Sequence, residues 1–332
     1  MRPLRKVIPI DAPETKISHD SRISLWGSCF ADHLRAHLES ELYPVASSPF
    51  GIMYNPLSMA EGLRRVLENE MPSASELELI DGLWISPMHH GSFSGTDKGE
   101  VLKVMTGALE EAVRTLPETR LFVFTFGTAY VYEEKASGRI VNNCHKRPAK
   151  DFSRRRAGVA EVTEVWTPLI ESLLDKAPSS EVLFTVSPIP HYRDGAHENR
   201  VSKSVLHLTL EEILEHSDRN RVRYFPAYEL MQDELRDYRF YADDFAHPTP
   251  LAVEYIMERF RETYLAPWTL ADEWHRVRSL LGHRPITTDP IRLKRHYEDL
   301  LRRLTELREK FAHPALDTAI NDILNHDNLH AL

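Results

Sequence analysis

Leu121-Phe122-Val123-Phe124-Thr125-Phe126 is the stretch that most restricts how this chain can fold. It is apolar on both faces, the pattern of a central strand in a parallel sheet covered by helices on both sides. It stops at Gly127-Thr128. Val182-Leu183-Phe184-Thr185-Val186 repeats the pattern and stops at Ser187-Pro188-Ile189-Pro190. Ile23-Ser24-Leu25-Trp26, Tyr43-Pro44-Val45-Ala46 and Val222-Arg223-Tyr224-Phe225 read as shorter strands. Between and after them, apolar residues recur at helical spacing over 32–38, 57–67, 98–116, 159–175, 200–216, 227–235 and 250–265. This alternation predicts an α/β fold, with a three-layer, doubly wound, mostly parallel sheet. In such sheets ligands bind at the carboxyl ends of strands. Those ends carry Gly27-Ser28, Gly51, Gly127-Thr128 and Ser187-Pro188.

Other segments are less regular. Tyr130-Val131-Tyr132 and Arg139-Ile140-Val141 flank Ser137-Gly138 and predict a β-hairpin. Residues 71–78 read as a polar stretch and 84–95 as irregular loop. From about residue 270 the chain becomes strongly charged and helical, over 270–281, 292–310 and 314–324, with a turn-rich link at 283–290. Leu293, Tyr297, Leu300, Leu304, Leu307 and Phe311 form a helical stripe, expected to pack on the main domain or on a second subunit. The expected division is a catalytic α/β domain over 1–268 and a C-terminal helical extension over 269–332.

Composition narrows the function classes. The 332 residues carry a formal net charge of −9, which argues against a nucleic-acid partner. The run Arg154-Arg155-Arg156 reads as a solvated face. Two cysteines, Cys29 and Cys144, fit a reducing compartment. The basic N-terminus is followed only by Val7-Ile8-Pro9-Ile10, too short for a signal segment, and no apolar run reaches membrane-spanning length. A cytoplasmic protein with no membrane partner is expected.

Two stretches carry chemistry. In Gly27-Ser28-Cys29-Phe30-Ala31, Ser28 falls on the turn between a strand and a helix. Glycine permits the bend, and the free N–H groups of a helix start can stabilise negative charge. A serine here is placed either as a nucleophile or as a helix N-cap. In Tyr241-Ala242-Asp243-Asp244-Phe245-Ala246-His247-Pro248, Asp244 and His247 are three residues apart. The carboxylate can hold the imidazole Nδ1–H and leave Nε2 to accept a serine proton; alone, the pair is equally a local contact at a helix start. Cys29 is expected to turn toward packing. His89, His90 and His145 lack any metal-ligand spacing and read as loop or substrate-contact residues, as does Asn55; no metal and no cofactor is expected. Asn199, Arg200 and Lys203 read as a solvated helix start.

The motif at 27–31 resembles that of the GSCFA family, within the SGNH/GDSL-like hydrolases. Segments 48–56, 125–132, 143–146, 185–190 and 237–241 are similar to further family blocks, so the resemblance runs over roughly 22–265. It implies Ser28 as nucleophile, His247 as general base and acid, and Asp244 as the orienting carboxylate. It implies an oxyanion hole from the N–H of Ser28, from Gly51 and from a third donor. The family superfold has Asn in a Gly-x-Asn block where this chain has Gly127-Thr128-Ala129, which leaves Thr128 or Asn143 for the third place. The implied activity is that of a serine esterase on a small acyl ester, such as an O-acetyl group on a carbohydrate. Its rivals are an acyltransferase moving acetyl to a sugar hydroxyl, and a non-catalytic scaffold or homo-oligomer built through the helical extension.

Overall fold

The computed structural model describes residues 6–283, 285–287 and 289–330 of the protein. The basic N-terminal residues 1–5, and Arg284 and Thr288 of the turn-rich link, lie outside the described residues. The chain forms two compact units: residues up to 38 with 43–265, and residues 39–42 with those from 266 onward.

Along the first part of the chain run β1 (Arg22–Gly27), α1 (Cys29–Ser40), β2 (Val45–Ser47), α2 (Pro56–Glu68), β3 (Glu78–Ile80), β4 (Leu83–Ile85) and α3 (Lys98–Thr115). Then come β5 (Thr119–Phe126), β6 (Tyr130–Glu134), β7 (Ile140–Val141), β8 (Phe152–Arg156), α4 (Val159–Lys176) and β9 (Glu181–Val186). α5 (Ala196–Glu215), β10 (Val222–Tyr224), α6 (Ala227–Glu229) and α7 (Pro250–Tyr264) complete the unit. Five strands form one sheet in the order β10-β9-β5-β1-β2, and every neighbouring pair is parallel. From β1 the chain moves outward to β2 and later returns to the other side of β1 as β5. The switch point therefore lies between β1 and β5, where open α/β sheets bind ligands.

The period-2 side-chain alternation of β5 builds both layers. Phe122, Phe124 and Phe126 join Trp26, Phe184 and, from α4, Trp166 on one face; Trp166 meets Phe124 edge-on with ring centroids 4.9 Å apart. Leu121 and Val123 turn to the other face, against Phe30 and Leu34 of α1 and Ile256 and Phe260 of α7. A strand buried on both faces has to be apolar throughout, and that is what the sequence shows.

Three sequence expectations are corrected. Residue 78, read as the end of a polar stretch, and residues 84–85, read as loop, are strand: β3 and β4 pair antiparallel around Asp81 (φ 49°) and Gly82 (φ 79°), a two-residue Asp-Gly turn. The Arg154-Arg155-Arg156 run is not simply a solvated face: Arg156 is exposed, but Arg154 and Arg155 are half-buried, and the run lies in β8, which joins β6 and β7 in a three-stranded antiparallel sheet. Arg154 grips Asp194 through both terminal nitrogens, and Arg155 binds Glu161. The start of α5 is not solvated either, since Asn199 and Lys203 are buried, although Arg200 is exposed.

The second unit contains α8 (Ala271–Gly282), α9 (Pro290–Lys310) and α10 (Pro314–His330). Leu300, Leu304 and Leu307 of the α9 stripe are buried with Trp274, Val277, Leu316 and Ile320 of its own unit. The centre of the stripe is thus covered by α8 and α10. Among the described residues, no helix is long and apolar enough to cross a membrane.

Candidate active site

Ser28 follows β1 directly. Gly27 adopts φ 150°, and a Cβ there would lie 2.6 Å from the Thr125 Cβ and 2.7 Å from the Thr125 carbonyl oxygen, so only glycine fits between β1 and β5. The Ser28 carbonyl accepts from the N–H of Ala31 (2.8 Å), which begins α1. The Ser28 hydroxyl does not cap the helix: its hydrogen bond among the described residues goes to Ser187 Oγ at the end of β9, at 3.4 Å. Ser28 is 3% exposed.

Asp244 and His247 lie on the loop that leads into α7. The loop is closed by Ala242 N–H on the His247 carbonyl (2.8 Å) and Thr249 N–H on the Phe240 carbonyl (2.9 Å). One oxygen of Asp244 accepts from the backbone N–H groups of Ala246 (3.0 Å) and His247 (2.9 Å), which fixes the carboxylate. The other is 2.5 Å from His247 Nδ1. These bonds, led by the one to the imidazole, hold Asp244 down at a pKa of about 2. Both side chains reach solvent, with 46% of His247 and 51% of Asp244 exposed.

Ser28 and His247 line one cavity of about 360 Å³, with Cys29, Tyr54, Asn55, Thr128, Tyr130, Tyr132, Asn142, Arg154, His191 and Arg193 also on its wall. No hydrogen bond joins Ser28 to His247 among the described residues. A larger cavity of about 690 Å³, between α2, α4 and the β6–β7 hairpin, contains neither residue.

The oxyanion donors expected from the sequence are mostly committed elsewhere. Gly51 (φ 76°) donates its N–H to the Ser48 carbonyl at 3.0 Å and lines a neighbouring cavity beside His90. Thr128 lies on the Ser28 cavity, but its N–H goes to the Tyr54 carbonyl (3.0 Å) and its hydroxyl pairs with Ser202 (3.1 Å). Asn143 is off the cavity wall and caps His145 N–H (2.8 Å); its neighbour Asn142 takes the place on the wall. Asn142 Nδ2 donates to the Ile52 carbonyl (3.0 Å), and its buried Oδ1 has no partner among the described residues.

Of the expected substrate contacts, only Asn55 reaches this cavity, where its side chain caps α2 through Ser58 N–H at 2.8 Å. His89 is buried between Phe50 and Phe93 and bonded to Ser86 Oγ (2.8 Å); burial pushes it down to a pKa of about 3. His90 bonds Ser92, and His145 Nε2 bonds the Ser86 carbonyl (2.7 Å). Cys29 is half-buried and packs against the core on the α1 side, as expected, while its Sγ also lies 3.6 Å from Tyr54 Oη on the cavity wall.

Besides Asn142, two residues of the site were given no role by the sequence reading. Ser187 meets Ser28, and His191 packs edge-on against Tyr54 on the cavity wall (ring centroids 5.8 Å). Burial, and the nearby Lys203 charge, lower the His191 pKa to about 4, so it is neutral near pH 7. Both follow the end of β9; the stop at Ser187-Pro188 put Ser187 on that rim without a role and did not reach His191. Among the described residues no group of His, Cys, Asp or Glu could hold a metal ion.

The family model for the GSCFA family matches residues 22–260, from the start of β1 to within α7. The chain belongs to the GSCFA family. The match contains Ser28, Asp244, His247 and every strand of the parallel sheet. Against curated proteins the chain has no significant match.

Proposed function

We propose that this GSCFA-family protein is a serine esterase of the SGNH type that hydrolyses a small acyl ester, with O-acetyl on a carbohydrate as the leading class. One observation carries the reading: a serine at the β1–β5 switch point shares a cavity with a histidine whose Nδ1 is held by a carboxylate.

In this reading His247 Nε2 takes the Ser28 proton as Oγ attacks the ester carbonyl. Asp244 fixes the imidazole tautomer and stabilises the imidazolium that forms. The imidazolium then protonates the leaving alkoxide, and water, deprotonated by His247, releases the acid from the acyl-enzyme. Attack needs Ser28 to leave Ser187 and His247 Nε2 to close on it; such hydrogen bonds commonly tighten only around the substrate. The Ser28 N–H at the start of α1 is the first oxyanion donor.

The test is hydrolysis of an activated acetate ester. Wild type should turn over, and Ser28→Ala and His247→Ala should each lose at least about 10³-fold, with the double variant little worse because the residues act as a unit. A Ser28→Ala protein that keeps most of the rate would end the proposal. Adding a sugar acceptor separates hydrolysis from transfer: acetate as sole product fits an esterase, and an acetylated sugar marks a transferase.

A further inference from the structure

We infer that Lys203 is a positioning residue of the Ser28 site, which joins the turns after β5 and β9 through one buried ammonium and sets a positive charge behind them. The inference rests on the reading of Ser28 as nucleophile.

Lys203 is on the second turn of α5 and is 2% exposed. Its Nζ donates to the carbonyls of Gly127 and Ser187, both at 2.7 Å. These two residues bear on Ser28 directly. Ser187 Oγ is the hydroxyl partner of Ser28, and a Cβ on Gly127 would be 3.6 Å from Ser28 Cβ. The same face of α5 fastens the rest of the rim: Asn199 Oδ1 accepts from His191 N–H and Ser202 Oγ from Ala129 N–H, both at 2.8 Å. Asn199 and Ser202 need no charge for this work, whereas Lys203 brings one into the interior.

That charge is unfavourable for folding. Among the described residues no carboxylate forms an ion pair with Lys203, and a buried cation without a counter-ion opposes the native state. The groups facing it are His191, after β9, and His207, one turn further along α5; both are held neutral near pH 7, mainly by burial, at a pKa of about 4. Glu229 lies 3.6 Å from His207 Nδ1, on that ring's side. Burial brings the Lys203 ammonium itself down to a pKa of about 7. Its neutral amine still has two N–H groups for the two carbonyls. Deprotonation therefore removes the charge and leaves the clamp, which separates the two roles by pH.

The experiment compares wild type, Lys203→Met and Lys203→Arg by ester hydrolysis and by the rate at which a fluorophosphonate labels Ser28. Lys203→Met should lose about 10²-fold in kcat with KM within about twofold, and labelling should slow in parallel. Lys203→Arg, which keeps a cation, should recover part of the loss. Wild-type kcat should fall as pH rises through the region near 7 where Lys203 loses its proton, and Lys203→Met should lack that limb. Stability should move the other way. The folded pKa is below the unfolded one, so between about 7 and ~10.4 only the unfolded chain binds this proton, and wild type gains stability with pH. A merely structural prop would change the melting temperature and leave the alkaline limb in place. Lys203→Met with wild-type kcat and an intact limb overturns the inference and leaves the esterase reading standing. Wild type with neither turnover nor Ser28 labelling overturns both. Should Lys203→Met fail to fold, the wild-type Lys203 signal followed by carbon-13 NMR decides: labelling that falls as Lys203 titrates supports the inference, and labelling flat through that titration overturns it.

Discussion

Gly27 and Ser28 separate fold from chemistry at adjacent positions. Gly27→Ala must place a Cβ 2.6 Å from the Thr125 Cβ on a backbone of φ 150°. It should cost about 2–4 kcal/mol in urea unfolding, and a loss under ~1 kcal/mol would show that β1 and β5 can part there. Ser28→Ala removes only a long 3.4 Å bond to Ser187 and should cost about 1 kcal/mol or less while abolishing activity. Ser28, Asp244 and His247 were legible because each lies in a short local pattern. His191, Asn142 and the pairing of Ser187 with Ser28 were not, because they depend on where distant segments end up. Asn142 and Asn143 differ by one place in the chain, and only the path of the loop after β7 decides which of them faces Ser28.

At the level of elements, apolar pattern gave the sheet and polar pattern misled. β5 reads as a central strand because both its faces must exclude water. The polar residues of early α5 read as solvated, because amphipathic logic sends polar side chains outward. Here they turn inward, since the strand ends leave backbone groups that need partners: Lys203 serves two carbonyls, Ser202 and Asn199 two N–H groups. β3 and β4 were missed because each spans three residues, although Asp81-Gly82 is a hairpin signal. The α9 stripe was recognised, but its covering was not, since helical spacing says that a face is buried and not by what. Leu304, fully buried between α8 and α10, gives the check. Leu304→Ala should cost about 2–5 kcal/mol and lower hydrogen-exchange protection across 290–310; unchanged protection there would contradict the packing described.

The whole molecule should be sensitive to acid for a reason separate from the proposed catalysis. His89, His191 and His207 have folded pKa values lowered, mainly by burial, to about 3, 4 and 4. Below about 6.5 the unfolded chain takes up protons that the folded chain refuses, so stability present above that pH is lost as pH falls toward 4. Melting temperature should drop through this window, and a flat profile would show that the three rings are more accessible than described. The central claim also belongs to this scale: only the order β10-β9-β5-β1-β2 brings a serine near the start of the chain into one cavity with a histidine beyond its last strand. Mass-spectrometric mapping of a fluorophosphonate adduct tests it most directly. The prediction is a single adduct on Ser28 of wild type, formed at least about 10³-fold more slowly in His247→Ala. An unlabelled wild type, or a Ser28 adduct formed equally fast without His247, would contradict the account.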